Sequence, residues 1–159
     1  MSDQKTELKA PIAHLVCDPC EKAIEFYQKA FGAEELQRVP GPNGEKIMHA
    51  CLKIDDGYIF LVDDFPEFNP EGKSQSPKAL GGSPVTIHRY VDNCDDAFKQ
   101  AIDSGAMSKM EPQDTFWGDR YAAFVDPFGH NWSIAHRVKN VSNEDLTKAM
   151  NEEFSGEKC

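Results

Sequence analysis

At 159 residues and 17.8 kDa, the chain has the size of one ordinary domain or of two small modules sharing a core. Hydrophobic residues make up 40% and charged residues 28%, a balance that buries a core without needing a disulfide framework. The formal charge of −10 disfavours nucleic acid and anionic membrane as partners and favours a neutral or cationic small ligand.

The first residues, MSDQKTELKAP, carry no apolar leader, and no apolar run approaches transmembrane length, so a cytoplasmic location is expected. Ile12, His14 and Val16 alternate as one face of a strand. Next comes CDPC, Cys17 to Cys20. It reads either as a redox pair at a strand-to-helix junction or as helix-start chemistry supplied by Asp18-Pro19. The second reading is preferred, because an adjacent carboxylate raises a thiol pKa. The five cysteines are an odd number and are read as thiols. Ala23, Ile24, Phe26, Tyr27, Ala30 and Phe31 recur at helical spacing until Gly32 stops the helix, and a strand follows. GPNG and DDG punctuate a meander of 46–55 and 58–63. Residues 64–82, rich in Pro, Gly and Ser, read as a connecting loop.

The order then begins again. SPVTIHRYVDNCDDAFKQAIDSGA repeats strand, cap, helix and Gly stop. His14 and His88, Asp18 and Asp92, Cys20 and Cys94, and Ala23 and Ala97 all lie 74 positions apart. The Gly-Ala pairs that end the helices lie 73 apart, and the turn glycines Gly57 and Gly129 lie 72 apart. A nearly constant offset is the mark of a duplicated unit with small loop deletions. The fold class is therefore α+β: two paired βαβββ modules, 8–63 and 83–137, forming a curved half-barrel with a central cleft. A C-terminal helix over 142–154 follows, with Ser142 as N-cap and Leu146, Met150 and Phe154 as an apolar stripe.

The segments AIEFYQKAFGAEEL, VDNCDDAFKQAIDSGA and, above all, FWGDRYAAFVDPFGHNWSIAH resemble the vicinal-oxygen-chelate superfamily of glyoxalases, bleomycin-resistance proteins and extradiol dioxygenases. The bleomycin-resistance-like branch is the most similar. The resemblance implies a homodimer and, in its metal-dependent members, a divalent ion held by the first and last strands of each module, acting as a Lewis acid. Carried over, the four ligand positions fall on Ile12 or Pro11, on Leu61 or Val62, on Thr86 and on Ser133. None is a strong ligand for such an ion. The expectation is a metal-free protein without cofactor that binds a small hydrophobic or cationic molecule in the inter-module cleft. Its candidate ligand-binding residues are His14, His88, Tyr90, Phe116, Trp117, Arg120, Tyr121 and Ser133. The alternative is a metal-dependent lyase, isomerase or dioxygenase using a displaced His14/His88 site, completed by Asp63 or Glu45. Phe65 and Phe68 are candidate lid residues, Arg120 is either an anion contact or a cross-strand salt bridge, Trp132 is expected in the core, and His130 on the surface of a turn.

Overall fold

The computed structural model describes residues 8–156; most of the segment read for a leader, residues 1–7, lies outside them. The chain divides at Gly82/Ser83 into two compact units. The first contains β1 (Ala13–Val16), α1 (Cys20–Phe31), β2 (Glu34–Pro40), β3 (Ile47–Ile54), β4 (Gly57–Val62) and a short α2 (Pro77–Leu80). The second contains β5 (Thr86–Tyr90), α3 (Cys94–Asp103), β6 (Met107–Asp114), β7 (Asp119–Val125), β8 (Asn131–Arg137) and α4 (Asn143–Phe154). Each unit has one four-stranded sheet, ordered β1-β4-β3-β2 and β5-β8-β7-β6, with its first strand parallel to its last. Two copies of the βαβββ order are what the repeated sequence pattern predicts.

The register assigns the faces. In the first unit Leu15 lies beside Leu61, Ala50 beside Leu61, and Leu52 beside Ile59, so these residues share one face. All are buried, and α1 covers them with Ala23, Ile24, Tyr27 and Ala30. Burying one such Leu or Ile contributes about 1.5–3 kcal/mol, which makes this face the core of the unit. Gly32, at φ 67°, closes α1 by donating to Gln28 O while Ala33 donates to Tyr27 O. The second unit repeats the scheme with Ala122, Phe124, Trp132 and Ile134 beneath Phe98 and Ala101 of α3. Trp132 is in the core as expected, its Nε1 donating to Asp126 Oδ2 at 2.9 Å.

Both helices are held at their first turn by a side chain from the end of the last strand. Cys20 N–H donates to Asp63 Oδ1 at 2.8 Å, and Cys94 N–H donates to His136 Nδ1 at 2.8 Å. The duplication thus preserved a helix-start acceptor while exchanging its chemistry. Asp18-Pro19 does not cap α1: Pro19 takes the cap position and no side chain there supplies the bond. A proline at that position makes a long-range acceptor necessary, because the free amides of a helix start need partners.

Two further expectations change. Residues 64–82 are not all loop, since Ser76 caps α2 by accepting from Ala79 N–H. His130 is not surface but buried. Asp126 Oδ1 accepts from both Phe128 N–H and His130 N–H, folding the Asp-Pro-x-Gly turn inward and carrying His130 with it. The C-terminal helix lies where the sequence puts it, with Ser142 Oγ accepting from Asp145 N–H, and none of its residues is buried. Among the described residues no helix is long and apolar enough to cross a membrane.

Candidate functional site

The sheet face opposite α3 gathers most of the predicted site residues. His88 pairs in register with Ser133, Ser133 with Ala123, and Tyr121 with Ala135, so His88, Tyr90, Tyr121 and Ser133 point the same way. His88 Nδ1 lies 2.7 Å from Ser133 Oγ, and Ser133 is buried. Burial lowers the His88 pKa, opposed by the nearby Asp119 carboxylate, so the ring is neutral at neutral pH. Aromatic contacts run on from it. His88 meets Tyr90 edge-on at 4.8 Å and stacks on Tyr121 at 6.1 Å; Tyr121 meets Trp117 at 5.7 Å, and Trp117 meets Phe116 at 5.0 Å. Phe116 in turn meets Phe154 of α4 at 6.4 Å. These are edge and offset geometries that aromatic quadrupoles favour.

Gly118 fixes the loop that carries Phe116 and Trp117. It sits at φ +97°, and its carbonyl accepts from Val138 N–H and Lys139 N–H. A Cβ there would lie 2.3 Å from Lys139 O, so no other residue fits without moving the backbone.

Arg120 is not part of this surface. It pairs in register with His136 and faces the other way, where its guanidinium binds Asp95 of α3 through two nitrogens and Asp114 of β6. It is the salt bridge of the two expectations, not the anion contact. Those two carboxylates hold its charge and raise its pKa further.

In the first unit His14 pairs with Phe60 and Val16 with Val62, on the face away from α1. His49 joins them: it lies 6.2 Å from His14 and 4.7 Å from Phe60, ring to ring. Burial lowers the His14 pKa, and His49 adds to the effect. Beyond this cluster is a pocket of about 470 Å³ lined by Val16, Met48, Val62, Asp64, Phe65 and Phe68, among others. Phe65 and Phe68 stack at 5.3 Å, and Lys46 Nζ sits 4.9 Å from the Phe65 ring centroid. His49 and Met48 escaped the sequence reading. The signal existed in the Asp-Asp-Gly turn, which pairs Ile54 with Gly57 and thereby sets every partner across β3 and β4.

The sequence model of the Glyoxalase/Bleomycin resistance protein/Dioxygenase superfamily matches residues 10–134. The chain belongs to this superfamily. An uncharacterized protein of Mycobacterium bovis is 46% identical over 143 residues, 90% of this chain and 93% of the relative. Among solved structures, the chain is similar in fold to TnmS3, an antibiotic binding protein from Streptomyces sp. CB03234. The TM-score is 0.56 at 22% identity, covering 81% of this chain and 97% of TnmS3. It is likewise similar in fold to the fosfomycin resistance protein FosX of Listeria monocytogenes, solved with Mn(II) and sulfate. There the TM-score is 0.58 at 15% identity, covering 89% of this chain and 97% of FosX.

Within the superfamily frame, the faces decide between the two counts of ligand positions. His14 shares the open face with Phe60, so Ile12 rather than Pro11 shares its parity, and Val62 rather than Leu61 does so on β4. Ser133 is on the open face of the second unit. The side chains at these positions are two alkyl groups without a donor atom, Ile12 and Val62, and two hydroxyls, Thr86 and Ser133, a set that does not fit a divalent ion. Asp63 does not complete a displaced histidine site: it is buried, with Oδ1 on Cys20 N–H and Oδ2 on Ile47 N–H. Glu45 is an exposed residue next to a 3-10 turn. Among the described residues no group of three His, Cys, Asp or Glu side chains is placed to hold a metal ion. Cys17 and Cys20 are not joined in a disulfide and both are fully buried, and burial with the Asp63 charge pushes Cys20 up to about 12. A redox pair needs the opposite environment.

Proposed function

We propose that the protein is a binding member of the superfamily that holds a small, largely hydrophobic molecule on the aromatic face of its second unit. The observation that carries this reading is the neutral His88–Ser133 pair set within a continuous run of aromatic rings. Such a surface offers flat apolar area together with one orienting polar atom, the usual composition of a small-molecule site. The buried Ser133 hydroxyl at the last ligand position is engaged with His88, which leaves the exposed imidazole as the polar group available to a ligand. The likeness in fold to TnmS3, an antibiotic binding protein, supports the same reading. The first unit's pocket beneath Phe65 and Phe68 offers a second apolar surface for the same role. Function as a homodimer in the cytoplasm is proposed with it.

A thermal-shift screen of aromatic antibiotics and dyes tests the proposal. A ligand at one hundred times its Kd raises stability by about 2.7 kcal/mol. The ligand is expected to quench Trp117, and Tyr121→Ala is expected to abolish its shift. A hit whose shift is unchanged by Tyr121→Ala and by Trp117→Ala would refute this placement.

A further inference from the structure

The pocket of the first unit shares no residue with the aromatic face of the second, and most polar groups around it are already bonded. Residues 64–75 form a strap whose two ends are tied by one carboxylate: Asp64 Oδ2 accepts from Ser74 Oγ, and Oδ1 accepts from Gln75 N–H at 3.1 Å. Lys46 fastens the strap, its Nζ donating to Asp64 O at 2.6 Å and lying 4.9 Å from the Phe65 ring centroid. The Phe65 ring rests on Gly41, where a Cβ would lie 3.1 Å from it. The space of about 470 Å³ is lined by Phe65 and Phe68 from the strap and by Val16, Met48 and Val62 from the sheet. Met48 is there because of a β-bulge: Val39 pairs with His49 and Pro40 with Ile47, which leaves Met48 without a partner and re-aims its side chain.

We infer that this pocket is a binding site in its own right, selective for an uncharged aliphatic molecule that carries one hydroxyl or carbonyl group, with Gln75 as the polar contact. This rests on the reading of the protein as a binder and goes beyond it by giving the first unit a ligand class different from that of the aromatic face. The charged groups at the pocket already have protein partners. Asp63 has Oδ1 on Cys20 N–H and Oδ2 on Ile47 N–H, and Asp64 and Lys46 are spent on the strap. Asn69 is also engaged, its Nδ2 donating to Lys73 O and its Oδ1 accepting from Glu71 N–H. An ionic head group would lose water there without finding a free counter-charge. The exposed Gln75 side chain lines the pocket and makes no hydrogen bond among the described residues. Its amide both donates and accepts, which suits a hydroxyl or a carbonyl. The flexible Met48 thioether beside two valines adapts to an alkyl chain.

The test is isothermal titration of the full chain with 1-octanol, octanoate and octylammonium at about 0.15 M salt, where exposed charges are screened beyond about 8 Å. The wild type is expected to bind 1-octanol at least about ten-fold more tightly than either ion. From 1-hexanol to 1-octanol the affinity should rise about four-fold per methylene, the size of one buried CH₂. Gln75→Ala, at an exposed position, is expected to weaken 1-octanol by about two- to twelve-fold, the size of one net hydrogen bond. Val62→Phe, which fills the pocket, should abolish binding. An unchanged affinity in Gln75→Ala overturns the polar contact, and ions that bind as tightly as 1-octanol overturn the choice of an uncharged ligand. Binding of 1-octanol that is lost in Tyr121→Ala and kept in Val62→Phe places the chain on the aromatic face; it overturns the inference and leaves the proposed function standing. A wild type that binds none of the three also overturns the inference, while the screen of aromatic compounds decides the proposed function separately.

Discussion

Asp63 and His136 are repeat-equivalent acceptors at the start of α1 and α3, but they are not equally replaceable. Asp63 satisfies two buried amides, Cys20 N–H and Ile47 N–H, so Asp63→Ala leaves both without a partner. A lost hydrogen bond to a charged group costs about 1.5–3 kcal/mol, and His136→Ala, which frees one amide from a neutral acceptor, should cost about 1 kcal/mol. Urea unfolding followed by circular dichroism is expected to show the larger fall in midpoint for Asp63→Ala. The buried thiols add a pH dependence of definite sign. Burial first, then Asp63, raises Cys20 to about 12, and burial then Asp95 raises Cys94 to about 11. Folding therefore favours the protonated thiols. That contribution is complete below the unfolded thiol value of about 9 and is lost as pH rises from there through the folded values. Stability should decline above about pH 9, less steeply in Cys20→Ala, and alkylation of Cys20 at pH 8 should require unfolding.

The supersecondary elements were legible because their signals are local. Gly32 and Gly105 end helices, Ser142 starts one, and the 74-residue echo orders the whole series. Side-chain destinations were less legible where long-range acceptors decide them. Nothing near Asp18-Pro19 announces that α1 borrows its N-terminal acceptor from residue 63. The inward fold of His130 is different in kind: its acceptor, Asp126, is local, and the Asp-Pro-x-Gly turn carries the signal that a surface reading of His130 overlooks. Arg120 sits one position from Tyr121, so a single step of strand alternation separates a site residue from a salt bridge to α3. At the same scale, the loop between β6 and β7 depends on Gly118. Gly118→Ala combines a positive φ with a Cβ driven against Lys139 O, and such strain costs about 1–3 kcal/mol before the clash is relieved. Thermal unfolding read by tryptophan emission, which reports only the second unit, should shift down by at least about 4–8 °C. Ligand affinity should fall with it, because the displaced loop carries Phe116 and Trp117.

For the molecule as a whole, charge rather than shape distinguishes this chain's expected ligand preference. A surface at −10 attracts cations from solution, but exposed charges are screened over about 8–10 Å at physiological ionic strength. Stacking on Tyr121 and Trp117 is insensitive to salt. The two contributions can therefore be separated: raising salt from about 0.05 to 0.5 M should weaken a flat cation several-fold and leave a neutral flat analogue unchanged. Acid acts through the histidines. His88 lies within the aromatic face, its pKa lowered by burial, so it is neutral at pH 7 and takes up a proton only below its ordinary value of 6.5. Protonation places a positive charge beside the bound cation and reduces the net negative charge of the surface. Cation affinity measured from pH 8 to pH 5 should hold constant to about pH 6.5 and then fall, and His88→Gln should flatten the fall. An affinity that rises on acidification would place the cation away from His88 and remove the aromatic face as its site.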